Sequence, residues 1–311
     1  MDILIEELNG SIWTAAVVNR RLEGLEADPA QEDVRWGSIY WAKVKGIDPA
    51  IDAVFLDLDG KNTGILYNNE VRIPGKDGNW GKGGAAAIGK SFKAGDMVPV
   101  QAKNVHLPRG QEDFMRLESK VPQMSMDITL PGRYLIFCAT MKTNQVSSRI
   151  RERKLRGQIE KMLTSLGDIE GCILRAAAAN TQTEILVREG QILKTAWEQI
   201  QEQMKGETPG LVMLGPDAIQ RMLSDQAGQY IERIEIVTLD HFTQVKEWCT
   251  IFAPDLVTRI EPIEIPDATE DMALFHHRDI MGQIEDLFQP YTLLPGGANI
   301  IVQSTAALTA I

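Results

Sequence analysis

Residues 2–35 form short, mainly apolar runs broken by turn dipeptides, which read as strands joined by tight turns. Ile3–Leu8 and Ile12–Val18 flank Asn9-Gly10, a pair that favours the tight hairpin turn whose twist matches that of the strands. Asn19-Arg20 begins another turn before Leu22–Leu25. The pattern predicts a β-meander. A meander this small buries too little to fold alone and must pack on something later in the chain. Residues 36–121 hold only short β-type runs: Ile39–Val44, Ala53–Leu58, Gly64–Tyr67, Val98–Val105 and Phe114–Val121. Five such strands with glycine punctuation predict a small barrel of OB type.

The character of the chain changes over residues 127–205. Gly132–Cys138 reads as a strand, Ser147/Ser148 open a helix running to about Leu163, and Ile173–Ala176 reads as another strand. Asn180-Thr181 followed by Glu184 is a capping-box pattern for a helix reaching Met204. Over residues 209–289 the elements alternate: strand Leu211–Leu214, a helix capped by Asp217 and carrying Ile219, Met222 and Leu223, strand Ile231–Val237, a helix capped by Asp240 and running through Trp248, and strand Leu256–Ile260. A β-α-β order buries a sheet under helices. A last helix spans Ala273–Phe288. Pro295-Gly296-Gly297 then forms a turn into Asn299–Val302 and Leu308–Ile311, two strands of a hairpin or one long bent strand. The pattern ends with no cap or polar tail, which reads as a truncation.

The 311 residues suffice for two or more cores, so a multidomain α+β or α/β chain is expected. No run approaches the ~18 apolar residues of a spanning helix. The start, Met1 to Glu7, is acidic and unlike a signal peptide. The 3 cysteines, Cys138, Cys172 and Cys249, lie far apart with no CxxC pair. That usage fits a reduced, cytoplasmic compartment and points to neither a disulfide framework nor a zinc site.

A net charge of −11 argues against a uniformly basic nucleic-acid binder. A local basic face is still open to it, since electrostatic binding depends on where the charge sits. Arg149, Arg151, Arg153, Lys154 and Arg156, with Lys142 just before and only Glu152 among them, form the densest positive patch. It reads as a contact for a phosphate backbone or as a solvated helix face. Gly84–Ser91 spells a phosphate-loop pattern, but no strand leads in and no helix leads out, so an ordinary loop is expected. Asp57-Leu58-Asp59-Gly60-Lys61-Asn62 resembles half a calcium loop without its late glutamate and reads as a strand-end turn. His276 and His277 are adjacent, so they point to different helix faces and cannot chelate as an i,i+4 pair can.

Several segments in order resemble the ribonuclease E/G endoribonucleases. Near the end, Gly296, Gly297, Ser304, Thr305, Ala307, Leu308, Thr309 and Ile311 match the family, while Gln303 and Ala306 stand where it carries Asp and Glu. The stretch from Lys43 to Asp57, with Gly64-Ile65-Leu66, resembles the family's OB-fold RNA-binding domain. Phe55 matches its first RNA-stacking aromatic, Ile65 replaces the second, and its lysine falls near Glu112 or Asp113. Gly132, Ile136 and Arg175 fall on the family's 5′-phosphate positions, and Ala176 replaces a threonine there.

The resemblance implies an α+β multidomain chain. Residues 1–35 plus 217–280 would form a split ribonuclease-H-like domain with a structural role, 36–125 the OB fold, and 126–216 a 5′-sensor domain. Residues 281–311 would begin a deoxyribonuclease-I-like catalytic domain. It implies a Mg²⁺-dependent enzyme acting on single-stranded RNA, 5′-monophosphorylated or not, in RNA processing and decay, and a homo-oligomer is compatible with it. The RNA-binding candidates are Phe55, Ile65, Arg149 and Arg151, and the 5′-phosphate candidates are Gly132, Ile136, Arg175 and Ala176. No catalytic or metal-binding residue is expected within the chain, because the family's first catalytic Asp would follow Ile311. The substitutions also fit a second reading, a degenerate, non-catalytic RNA-binding or protein-interaction scaffold of the same fold.

Overall fold

The computed structural model describes residues 1–311 except 30–31, 75–79, 85, 106–120, 168, 266–270, 290, 295, 302, 305–308 and 311. In chain order the strands β1 (Asp2–Leu8), β2 (Ser11–Val18) and β3 (Arg21–Ala27) come first. Next are β4 (Ile39–Asp48), β5 (Ala53–Asp57), β6 (Thr63–Tyr67), β7 (Met97–Asn104) and β8 (Gln123–Ser125). A third group has β9 (Thr129–Pro131), β10 (Leu135–Cys138), β11 (Gln145–Val146), helix α1 (Arg153–Leu163), β12 (Cys172–Leu174) and α2 (Thr183–Gln203). The rest comprises β13 (Gly210–Met213), α3 (Ala218–Asp225), β14 (Arg233–Ile236), α4 (Leu239–Phe252), β15 (Ile260–Pro262), α5 (Ala273–His277) and α6 (Met281–Leu287). The chain divides into two compact units, Met1–Ala30 with Gln229–Ile311, and Gln31–Gly228.

The first unit is built on one sheet in the order β15-β14-β1-β2-β3, with β1 parallel to β14 and antiparallel to β2. Strand alternation explains its two buried faces. Leu4, Ala15 and Val17 pack with Met272, Leu274, Phe275, Ile280 and Ile284, while Ile3 and Ile5 point the other way and are also fully buried. The acidic residues that follow obey the same alternation. Glu6 accepts the backbone N–H groups of Leu274 and Phe275 at the start of α5, and Glu7 bonds His241 of α4 at 3.0 Å. Burial raises the Glu6 pKa, and those backbone donors offset part of the rise.

The second unit holds the barrel. Its strands close in the order β4-β5-β6-β8-β7 and back to β4. The β6–β8 pair alone runs parallel, with Ile65 beside Gln123 and Leu66 beside Met124. This mixed α+β chain with a closed five-strand barrel is consistent with an OB fold. The barrel is filled by inward positions of every strand, among them Val44, Val54, Leu56, Leu66, Val98, Val100 and Met124. Gly64 leaves the room for Met124, whose Cγ would lie 2.7 Å from a Cβ placed there. The fifth strand expected at Phe114–Val121 falls almost wholly outside the described residues, and the closing strand is Gln123–Ser125. Gly210–Met213 joins the barrel as a sixth strand antiparallel to β4.

A four-stranded sheet, β9-β10-β12-β11, completes this unit, with β11 parallel to β12 and the other pairs antiparallel. Helix α2 buries Leu186, Glu189, Gly190, Leu193 and Ile200, a stripe at helical spacing.

Several elements differ from expectation at their ends. The helix expected from Ser147/Ser148 begins at Arg153, because Ser147 N–H donates to the Leu174 carbonyl and Ile150 N–H to Ser147, which makes residues 147–150 a turn. The capping box at Asn180–Glu184 does not form: Ala176–Asn180 is a 3₁₀ turn and Gln182 precedes α2 with no side-chain cap. Asp217 does cap α3, accepting Gln220 N–H at 2.8 Å, but Thr238 rather than Asp240 precedes α4. Residues Pro254–Arg259 form a 3₁₀ helix where a strand was expected. The Ala273–Phe288 helix is two short ones, interrupted where Asp279 takes a φ of 58°. Near the end Thr292–Leu293 pairs with Asn299–Ile300, and Gln303–Ser304 with Thr309–Ala310.

Candidate nucleic-acid interface

Three loops meet at one end of the four-stranded sheet. Strands β11 and β12 are parallel and finish there, and antiparallel β10 starts there. Gly132–Tyr134, Ser147–Arg151 and Arg175–Ala176 are therefore neighbours although far apart in sequence. Backbone bonds lock them together: Ser147 N–H donates to Leu174 (3.0 Å) and Arg175 N–H to Tyr134 (2.9 Å). The Arg175 guanidinium donates through Nη1 to the Gly132 carbonyl at 3.3 Å and through Nη2 to Asp225 Oδ1 at 2.6 Å. Its side chain is 24% exposed and that of Asp225 61%.

Behind this surface stands Glu189, 4% exposed. Its Oε1 accepts Tyr134 N–H at 2.9 Å and Leu135 N–H at 3.1 Å. Burial pushes its pKa up, and the backbone donors and Arg133 pull part of it back. The carboxylate thus fixes the loop whose carbonyls hold Arg175. Gly132 is required for it: a Cβ there would come 2.0 Å from Oε1. Since Gly132 has ordinary backbone angles, the demand is for space.

The other candidates divide. Ala176 is exposed beside Arg175 but offers a methyl group and no donor. Ile136 is half-buried in β10, opposite Ile173 and Pro131. Arg149 and Arg151 are exposed on the turn before α1, with Arg153 and Lys154 exposed just after it. Arg156 is occupied, donating to the Ser147 carbonyl and pairing with Glu160 at 3.1 Å.

On the barrel, Phe55 and Ile65 face each other across β5 and β6. Val54, Leu56 and Leu66 fill the interior, so by alternation Phe55 and Ile65 point away from it, Phe55 half-buried and Ile65 buried at 7% exposure. Phe55's partner on its other side is Gly46, where a Cβ would meet nothing within 4 Å, so that flank of the ring is open. The register shift between Val44 and Gly46 makes Lys45 a bulge residue, with Nζ 3.5 Å from Thr63 Oγ1. Glu112 and Asp113 lie outside the described residues.

The phosphate-loop pattern is engaged elsewhere. Gly84 N–H donates to Asn68 Oδ1 and Ile88 N–H to Asp52 Oδ1, both at 3.1 Å, and only a three-residue 3₁₀ turn follows. Asp59 Oδ1 accepts the N–H groups of Lys61 and Asn62 in the turn between β5 and β6. Cys138, Cys172 and Cys249 are buried, and burial pushes the first two thiols up to about 12, which keeps them unreactive. His276 and His277 are both exposed. Among the described residues no group of three or more His, Cys, Asp or Glu is placed to hold a metal ion. The magnesium that the resemblance implies finds no fitting donor set among those residues. Also among the described residues, no helix is long and apolar enough to cross a membrane.

Sequence reading missed Glu189 and Asp225. Glu189 had a signal: a carboxylate at a position of the apolar stripe that Leu186 and Leu193 continue. Asp225 had a weaker one, an acid in the last turn of a helix, where the dipole disfavours it.

The structure defines an α+β chain with an OB-type barrel and a separate sheet whose end carries exposed cations. Its family is established by comparison: the model of the Ribonuclease E/G family matches residues 129–311, and the chain belongs to that family. It is 27% identical to ribonuclease E of Haemophilus influenzae over 307 residues, 96% of this chain and 30% of that protein. It is 26% identical to ribonuclease E of a Nostoc species over 290 residues, 88% of this chain and 38% of that protein. With ribonuclease G of Salmonella typhimurium it shares 25% identity over 282 residues, 88% of this chain and 54% of that protein. The chain therefore spans between about a third and about half of the length of these relatives.

Proposed function

We propose that this chain is the RNA-gripping portion of a ribonuclease E/G-type endoribonuclease that acts on single-stranded RNA. In this reading residues 126–216 are a 5′-sensor domain and 36–125 an OB-fold RNA-binding domain. Residues 1–35 with 217–280 are the ribonuclease-H-like support, and 281–311 open the deoxyribonuclease-I-like catalytic domain. The observation that carries it is the seat of Arg175. A guanidinium fixed on the Gly132 carbonyl, beside the exposed cations Arg149 and Arg151, suits a 5′-terminal phosphate followed by the backbone of a single strand. Arg175 has five N–H donors and spends two in the bonds described, so donors remain for an anion. Phe55, open on its Gly46 side, supports a stacked base further along the strand.

The test is fluorescence-anisotropy binding of short oligoribonucleotides carrying a 5′-monophosphate or a 5′-hydroxyl. The wild-type chain should prefer the phosphorylated end, and Arg175→Ala should remove about tenfold of that preference. Equal discrimination by the variant would remove Arg175 from the site. Phe55→Ala should weaken binding of either oligonucleotide about fivefold by removing the stacking ring, read in the same assay. An unchanged Kd would mean that this face does not meet RNA.

Two features favour the second reading, a scaffold that binds RNA without cutting it. Ile65 offers no ring to stack on, and Ala176 adds no donor beside an arginine already paired with a carboxylate. Cleavage of a single-stranded RNA by the chain with Mg²⁺ present would overturn both readings, because neither places a catalytic carboxylate among these residues.

A further inference from the structure

We propose that Asp225 is a built-in competitor for the anion that Arg175 takes up, a latch that closes the seat when no phosphorylated end is present. The inference rests on the reading of Arg175 given above. A carboxylate and a terminal phosphate make the same kind of charge-assisted bond to a guanidinium. Asp225 Oδ1 occupies one edge of the Arg175 fork at 2.6 Å.

Two anchors hold Arg175 without Asp225: its backbone N–H on Tyr134 at 2.9 Å, and Nη1 on the Gly132 carbonyl at 3.3 Å. The Gly132 loop is in turn fixed by Glu189. Asp225 has no comparable fixture. It is the last residue of α3, where the helix's unsatisfied carbonyls repel a carboxylate, and its side chain is 61% exposed. The arginine is the rigid partner, and the aspartate the one that can swing into water. Such exposed pairs are individually weak, so a phosphate with nearly two charges can displace the carboxylate.

Asp225 could instead orient the guanidinium, and magnitudes decide between the two roles. Losing one orienting bond from a side chain that keeps its bond to the Gly132 carbonyl, on a backbone still tied to Tyr134, has a small effect. Removing a negative charge within about 5 Å of a bound anion relieves a repulsion equivalent to about three- to tenfold in affinity where water screens the pair, as it does at an exposed aspartate. Competition therefore outweighs positioning.

The experiment measures anisotropy-derived Kd values for 5′-monophosphate and 5′-hydroxyl oligoribonucleotides with the wild-type chain, Asp225→Asn, Arg175→Ala and the double variant, each first checked for an unchanged circular dichroism spectrum. Asp225→Asn should tighten binding of the phosphorylated oligonucleotide about three- to tenfold. It should leave the hydroxyl-ended one unchanged and do nothing in the Arg175→Ala background. Weaker or unchanged binding of the phosphorylated end, with Arg175→Ala still erasing the preference, overturns the latch and makes Asp225 a positioning residue while Arg175 keeps its role. Equal tightening for both ends also overturns it, as a general charge effect. A preference that survives Arg175→Ala overturns the Arg175 reading and the latch with it.

Discussion

Gly132→Ala should destabilise the second unit by about 3 kcal/mol, among the largest costs a single methyl group can impose. The new Cβ would lie 2.0 Å from Glu189 Oε1, 2.9 Å from its Cδ and 3.1 Å from Leu193 Cδ1. Glu189 cannot give way without releasing the N–H groups of Tyr134 and Leu135. A carboxylate only 4% exposed then loses its donors, and two buried backbone donors lose their acceptor. Each such loss costs roughly 1–3 kcal/mol. Urea unfolding followed by circular dichroism reads the change as a lower midpoint at constant slope. A midpoint equal to wild type would show that the loop relaxes freely and that Glu189 does not hold it. Because that loop carries the carbonyl under the Arg175 guanidinium, the variant should also lose its preference for phosphorylated ends.

Leu56→Ala should cost about 3 kcal/mol, within the range for emptying a leucine-sized space in a close-packed core. Leu56 is 0% exposed and lies in the barrel among Val44, Val54, Leu66 and Met124. Its neighbour Phe55 points outward, so the two adjacent positions separate stability from binding. At temperatures where the Leu56→Ala chain remains folded, its Kd for single-stranded RNA should match wild type. A thermal melt and an anisotropy titration on one preparation make the comparison. Weakened RNA binding with little loss of stability would place Leu56 on the outer face and reverse the alternation deduced for β5.

The barrel was legible because short apolar runs such as Ala53–Leu58 are separated by glycine-marked turns, which suits strands and not helices. What such runs cannot reveal is pairing. Gly210–Met213 looked like the start of the next βα repeat and instead bonds to β4, some 170 residues earlier. Helix ends were misread where a tertiary bond overrode a local cap, as when Ser147 gave its N–H to Leu174. The 273–288 segment has helical spacing throughout, yet Asp279 adopts a left-handed conformation that divides it.

At the site, Arg175 and Gly132 were reached through family resemblance, and the bond between them came from folding. Glu189 and Asp225 escaped notice because charged residues on helices are ordinarily solvated, and only packing distinguishes the buried one.

The sheet of the first unit has a consequence for how the polypeptide is made. Strand β1 leaves the ribosome well before its parallel neighbour β14, which begins at Arg233, and β15, which ends at Pro262. The intervening unit, Gln31–Gly228, contains its own barrel and sheet and can condense first. Throughout that interval one edge of the nascent meander, Asp2–Ile5, has no partner strand and is open to pairing with another chain until Arg233–Ile236 has been made.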